Sequence, residues 1–224
     1  ALAIAAETAL AGVSHRPSGV TGRLELHVGG LPFALLGLAP GPGREPPSPV
    51  HVFGLPQDVA RFDFEAMWLV PGAHIAAGAS LLPVVGAMTG VAAVLARHLP
   101  VKAVCWHPAR SWMGAGYCIR SIDTGRDGGA FPVLGLVPLA RTDDGALVSH
   151  GLRFFTGQEI LLQCHPREEL SDTVQLAGRI VVELIEQGGL AGTQEVAGPD
   201  GEVLLARAEP QEGLVRISRG VCAQ

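Results

Sequence analysis

Residues 73–96 contain no Asp, Glu, Lys or Arg. A run of that length has two physical solutions: a bilayer span, which needs roughly 20 apolar residues, or an element buried in a protein core. His74, Ser80 and Pro83 interrupt it, and the reading adopted is a short strand at 73–77 followed by a buried helix over 81–99, with no membrane span. Ser80 is the expected N-cap and Pro83 fits a first helical turn. Gly86 and Gly90 sit four apart, which predicts a smooth face for close packing. Arg97 and His98 suit the negative C-terminal end of the helix dipole.

A second helix is expected over 167–187. Val174, Ala177, Val181, Leu184 and Ile185 recur at helical spacing, with Gln175, Arg179, Glu183 and Glu186 opposite. Gly188-Gly189 is its stop signal.

Strands account for much of the remainder. Leu24, Leu26 and Val28 alternate with Glu25 and His27, Gly29-Gly30 turns the chain, and 31–38 returns. Residues 39–49 carry five prolines and form a surface loop or linker. A short helix is expected within 57–67, with Val59, Phe62 and Ala66 on one face. Strand 101–106 follows, then a short helix or turn at 110–118 and a turn cluster at 123–129. A hairpin is expected from 131–140 and 146–155 around Asp144-Gly145. Strand 159–164 leads into the second helix. Residues 192–201 are read as a loop, and strands at 202–208 and 213–217 complete the order.

Both halves then read hairpin, strand, helix, strand. The fold class is α+β, a mixed and largely antiparallel sheet with the two main helices packed on it. The expected organisation is a single domain over 1–224, built from two pseudo-repeated halves near 21–120 and 130–220.

Charge and cysteine usage narrow the function. A net charge of -5 with a single lysine, Lys102, argues against nucleic-acid binding. Four scattered cysteines without a C-x-x-C pair indicate reduced thiols in a cytoplasm rather than a disulfide scaffold. Residues 1–13 lack the basic start of a secretory signal, and the abundance of Gly, Pro and Ala resembles a high-GC bacterial composition.

Two phrases draw the eye to chemistry: Val104-Cys105-Trp106-His107-Pro108 and Leu162-Gln163-Cys164-His165-Pro166. A zinc site requires about four converging ligands. Cys105 and His107 would share a strand face, whereas Cys164 and His165 would oppose each other. The phrases are therefore read as strand ends, with no metal and no catalytic residue assigned. A thiolate at Cys164, beside a helix start, is the enzymatic alternative. The stronger candidate is the stretch from Trp106 to Arg120. Trp106, His107, Arg110, Trp112 and Tyr117 give it the aromatic and arginine content of a recognition surface. Phosphate-loop, dinucleotide, zinc-protease and nucleophile-elbow motifs are missing from the sequence.

The phrase Ala73-His74-Ile75-Ala76-Ala77, the Ala/Val-rich helix after it, Ala103-Val104-Cys105-Trp106, and Trp68 to Pro71 upstream resemble a bacterial family, domain of unknown function 4261. Ser149-His150-Gly151-Leu152 in the later hairpin also fits, so the resemblance spans most of residues 24–217. It implies a soluble bacterial α+β protein and brings no activity or catalytic residues to carry over. The expectation is a non-enzymatic binding or protein-interaction module. Its partner would be a protein or small molecule, without cofactor, nucleic acid or membrane, and with scope for a homo-oligomer. The alternative is a small enzyme using a Cys or His at a strand end.

Overall fold

The structure, a computed structural model, describes residues 14–17, 22–56, 58–59, 63–126, 133–164, 169–198 and 201–219. The chain forms two compact units, Ala1–Gly129 and Ala130–Gln224. Their described elements belong to the α+β class.

In the first unit, strands β1 (Ser14–Pro17), β2 (Arg23–Val28), β3 (Leu31–Leu36), β4 (His51–Phe53) and β5 (Trp68–Pro71) precede helix α1 (Leu82–His98). Strands β6 (Ala103–Trp106) and β7 (Ser111–Gly114) and helix α2 (Ala115–Arg126) follow. β1, β2, β3 and β5 form one antiparallel sheet in that order. β2 and β3 are the hairpin predicted around Gly29-Gly30, and both of those glycines have positive φ. The register sets Leu24, Leu26 and Val28 opposite Leu35, Phe33 and Leu31, so one face of the hairpin is wholly apolar. That face packs on Val84, Val91, Val94 and Leu95 of α1. The other sides of α1 meet α2 and β6. Enclosure on several sides explains why this helix lacks charge almost to its end, and why its buried residues run nearly all round it.

Three expectations for this region are corrected. Residues Ala73–Gly78 form a 3₁₀ helix, not a strand. Alanine is a poor strand former, and Ala73, His74, Ala76 and Ala77 are exposed, with Ile75 alone turned toward the core. The order of elements in the two units therefore differs at this point. Ser80 does not cap α1; Leu81 is the N-cap residue, with no side-chain bond. Of the two glycines expected to form a packing face, Gly90 is buried but Gly86 is not. Gly86 is exposed, and an added Cβ there would meet no atom within 4 Å. Gly86→Ala is accordingly expected to raise stability by about 0.5–1 kcal/mol, the difference in helix propensity, read as a rise in the urea midpoint. A neutral or lower midpoint would mean that the glycine has a role its surroundings do not show.

The second unit contains helix α3 (Val133–Leu136), strands β8 (Leu139–Arg141) and β9 (Leu147–Ser149), helix α4 (Arg153–Thr156) and strand β10 (Glu159–Leu162). Helix α5 (Leu170–Gln187) and strands β11 (Thr193–Ala197), β12 (Val203–Glu209) and β13 (Leu214–Arg219) complete it. All six strands form one mixed sheet in the order β11-β12-β13-β10-β9-β8. The parallel partner of β10 is β13, not the strand that directly follows α5. β11 and β12 run out to the far edge first, and β13 returns to the middle. Leu176, Ala177, Ile180, Val181 and Leu184 are the buried stripe of α5, which also touches α3 and α4. Gly188 ends the helix in the left-handed conformation, φ 78°.

The long helices thus lie in different units with separate sheets, rather than together on one. β11 occupies part of the stretch read as a loop. The expected first arm of the later hairpin, 131–140, contains α3 and only the short β8; Phe131 lies outside the described residues. Of the short helix expected at 57–67, Gln57 and residues 60–62, including Phe62, lie outside the described residues, and 63–65 are irregular.

Candidate functional site

The aromatic and arginine stretch folds as a tight antiparallel corner. β6 pairs with β7, Trp106 opposite Ser111 and Cys105 opposite Trp112. A 3₁₀ turn, His107–Ala109, and Arg110 join them. Arg110 has φ 50°, the only positive value among described residues other than glycine. Its amide donates to the His107 carbonyl at 3.0 Å, closing the turn. The strand therefore stops at Trp106, and His107 does not share a strand face with Cys105.

The five candidate residues separate accordingly. Trp106 and Trp112 are 7% and 4% exposed and cannot offer faces to a partner. Both are large apolar groups, Trp106 at the end of β6 and Trp112 on the fully enclosed β7, where burial outweighs exposure of the ring. His107 and Arg110 are exposed on the turn, and Tyr117 is half-buried on α2.

A segment that the sequence presented as a linker gathers part of this group. The Trp112 indole Nε1 donates to the Pro47 carbonyl at 2.8 Å. Arg110 Nε donates to the Ser48 carbonyl at 3.0 Å, and the Arg110 carbonyl accepts from the Val50 amide at 2.8 Å. β4 then runs parallel to β7, with Val52 opposite Trp112. Upstream, Arg44 and Ala66 exchange both backbone bonds, at 2.8 and 2.7 Å, and the Arg44 guanidinium lies 5.5 Å from the Trp68 ring centroid. Residues 44–50 are thus a strap pinned at both ends. Phe64 meets Trp112 edge-on, centroids 5.8 Å apart, and Phe53 stacks on Tyr117 at 5.6 Å. Pro47, Ser48, Phe53 and Phe64 are the members of this cluster that sequence reasoning missed. The signal that was present is the run Pro46-Pro47-Ser48-Pro49, an extended ligand-like segment as much as a loop.

Burial disfavours the thiolate form of the described cysteines. Burial pushes both Cys105 and Cys118 up to about 12. For Cys118, the nearby Arg97 pulls the other way and Asp123 adds to the rise. These two neighbours form an ion pair of their own, with Arg97 Nη2 at 2.5 Å from both carboxylate oxygens of Asp123. Cys164 is also raised, chiefly by desolvation. His165 and Pro166 lie outside the described residues, as does Cys222. Among the described residues no three His, Cys, Asp or Glu side chains are grouped to hold a metal. No described helix is long and apolar enough to cross a membrane.

These thiols carry a pH prediction. In the unfolded chain they ionise near the ordinary 9.0, whereas the folded Cys105 and Cys118 keep their protons to about 12. Above pH 9 the unfolded state therefore binds fewer protons, and stability falls as pH rises toward 12. Urea midpoints measured between pH 8 and pH 11 should decline, and less steeply in Cys118→Ala. An identical slope in that variant would remove the thiol from the account. At pH 8, iodoacetamide should modify Cys105 and Cys118 far more slowly in the native protein than in urea.

The second unit holds one further polar constellation. Glu159 at the start of β10 accepts four hydrogen bonds: from Ser149 Oγ at 2.5 Å, and from the amides of Gly151, Leu152 and Arg153 at 2.9, 3.1 and 3.1 Å. Ser149 Oγ in turn accepts from the Ile160 amide at 2.9 Å. Both carboxylate oxygens are occupied by the protein itself, so this is a staple that fixes the turn before α4, not an acid or base facing substrate.

Comparison with protein-family models, with proteins of curated function and with solved structures finds no match.

Proposed function

We propose that the chain is a non-enzymatic binding module whose contact surface is the exposed corner formed by His107, Pro108 and Arg110 with Ser48 and Val50. The observation that carries this reading is Arg110. It is exposed, yet its backbone sits in the left-handed region and both its carbonyl and its guanidinium are tied to the strap. A non-glycine residue in that region is uncommon and persists where its surroundings over-determine it. The result is a cationic and imidazole-bearing corner, with Val50 49% exposed beside it, preorganised so that little ordering entropy remains to be lost on binding. The thiols held protonated by burial favour this reading over a cysteine-based enzyme. The free cysteines, Cys105, Cys118 and Cys164, suit a reducing bacterial cytoplasm, and the resemblance to domain of unknown function 4261 points to the same setting.

Site-specific photo-cross-linking in bacterial cells tests the surface. A benzophenone side chain at position 107 should yield a discrete adduct that Arg110→Glu removes. The same probe at the exposed Gln175 of α5 should not yield it. An adduct of twice the chain mass would identify a second copy as the partner. Equal labelling from both positions, or none from 107, would reject the corner as a contact surface.

A further inference from the structure

We infer that the strap is a built-in stand-in for a proline-rich ligand, and that the Trp112 and Arg110 surface it covers binds such a segment from another protein when the strap lifts. This rests on the reading of the first unit as a binding module and names its ligand class. Residues 46, 47 and 49 are prolines with φ near about -65°, and Glu45, Pro46 and Ser48 each precede a proline, which holds them extended. These restraints favour an extended, polyproline-like strap, and Pro46 and Pro49 stand in Pro-x-x-Pro spacing. An extended proline-rich chain has few amide donors of its own, so a receptor recognises it with aromatic surface and with donors aimed at its carbonyls. The protein supplies both. Trp112 Nε1 donates to the Pro47 carbonyl and Arg110 Nε to the adjacent Ser48 carbonyl, at 2.8 and 3.0 Å. Phe64 packs edge-on against the same indole. The three prolines are half-buried while Glu45, Ser48 and Val50 face outward, as in a ligand seated along one side.

Covalent attachment gives the strap an effective concentration in the millimolar range, so a ligand in trans meets a strong internal competitor. Fluorescence anisotropy of a labelled peptide copying residues 44–51 measures the competition on the full chain. The wild type should bind it weakly. The variant Pro46→Gly/Pro47→Gly/Pro49→Gly, whose strap loses its preformed extension, should bind at least tenfold more tightly. Adding Trp112→Phe, which keeps an aromatic ring but removes the donor, should return binding to the wild-type level. A peptide with its prolines replaced by alanine should not bind. Arg44→Ala removes the strap's contact with the Trp68 ring while leaving the Trp112 and Arg110 donors in place, and should tighten peptide binding about threefold. If neither loosened variant binds the peptide more tightly than wild type, the inference is overturned. An adduct from position 107 would in that case leave the contact corner standing, because it is read independently of the peptide.

Discussion

Glu159→Gln should lower the stability of the second unit by about 3 kcal/mol, although it exchanges only a carboxylate oxygen for an amide nitrogen. A hydrogen bond to a charged group contributes about 1.5–3 kcal/mol, and Glu159 accepts four bonds on two oxygens. A glutamine has one carbonyl oxygen for them, and its NH₂ group would face donors wherever it replaced the second. Glu159→Ala should cost more, about 3–5 kcal/mol, because the amides of Gly151, Leu152 and Arg153 would all lose their acceptor in a turn where Gly151 and Leu152 are buried. Ser149→Ala should be milder than either, since the carboxylate keeps three main-chain donors. The order of urea midpoints, wild type above Ser149→Ala above Glu159→Gln above Glu159→Ala, is the diagnostic result. A Glu159→Gln variant within about 0.5 kcal/mol of wild type would show that the negative charge is dispensable there.

Gly114→Ala should be still less tolerable. A Cβ at that position would lie 2.4 Å from the Gly54 carbonyl oxygen. The obstacle is backbone, so no side chain can rotate away, and β7 would have to separate from the segment that follows β4. Overpacking of this kind costs about 1–3 kcal/mol where side chains can yield; here the expected loss is at or above the upper end. Gly54 itself has φ 63°, and a Cβ on it would meet Tyr117 Cβ at 2.9 Å. Gly114 therefore lets β7, and Gly54 lets α2, approach the segment that follows β4. Near-ultraviolet circular dichroism is the informative readout, because the Phe53–Tyr117 stack and Trp112 lie beside the contact. A Gly114→Ala protein with unchanged aromatic signal and unchanged melting temperature would contradict the geometry.

The sequence disclosed most where one physical constraint acted alone. Helix α5 has a single buried stripe and an open opposite face, so its period and its Gly188 terminus are plain. The β2–β3 hairpin alternates cleanly and turns at paired glycines. Helix α1 was recognisable from the absence of charge, although its surroundings were not. Legibility failed where constraints overlapped. β7 is buried at all four residues, Ser111, Trp112, Met113 and Gly114, so no alternation marks it. The alanines of 73–78 are apolar without being interior. The candidate surface was half visible, since composition singled out Trp106, Trp112 and Arg110 but could not separate rings that fill the core from groups that face water. Residues 39–49 do lack regular structure, as their prolines indicate, but nothing in them shows that their carbonyls meet the Trp112 and Arg110 donors. Glu159 had no local signature; its donors come from a turn whose path only the fold reveals.

The placement of β13 between β12 and β10 has a consequence for synthesis of the chain. Until residues 214–219 leave the ribosome, the sheet of the second unit exists as two pieces, β11–β12 on one side and β8–β9–β10 on the other, each with an unpaired edge facing the gap. The first unit has no such dependence on later sequence and can close while translation continues. Without β13 the second unit has two open edges, the kind of surface on which strands find wrong partners. A chain truncated just before β13 should keep its first half able to fold and leave the second half with both of those edges open.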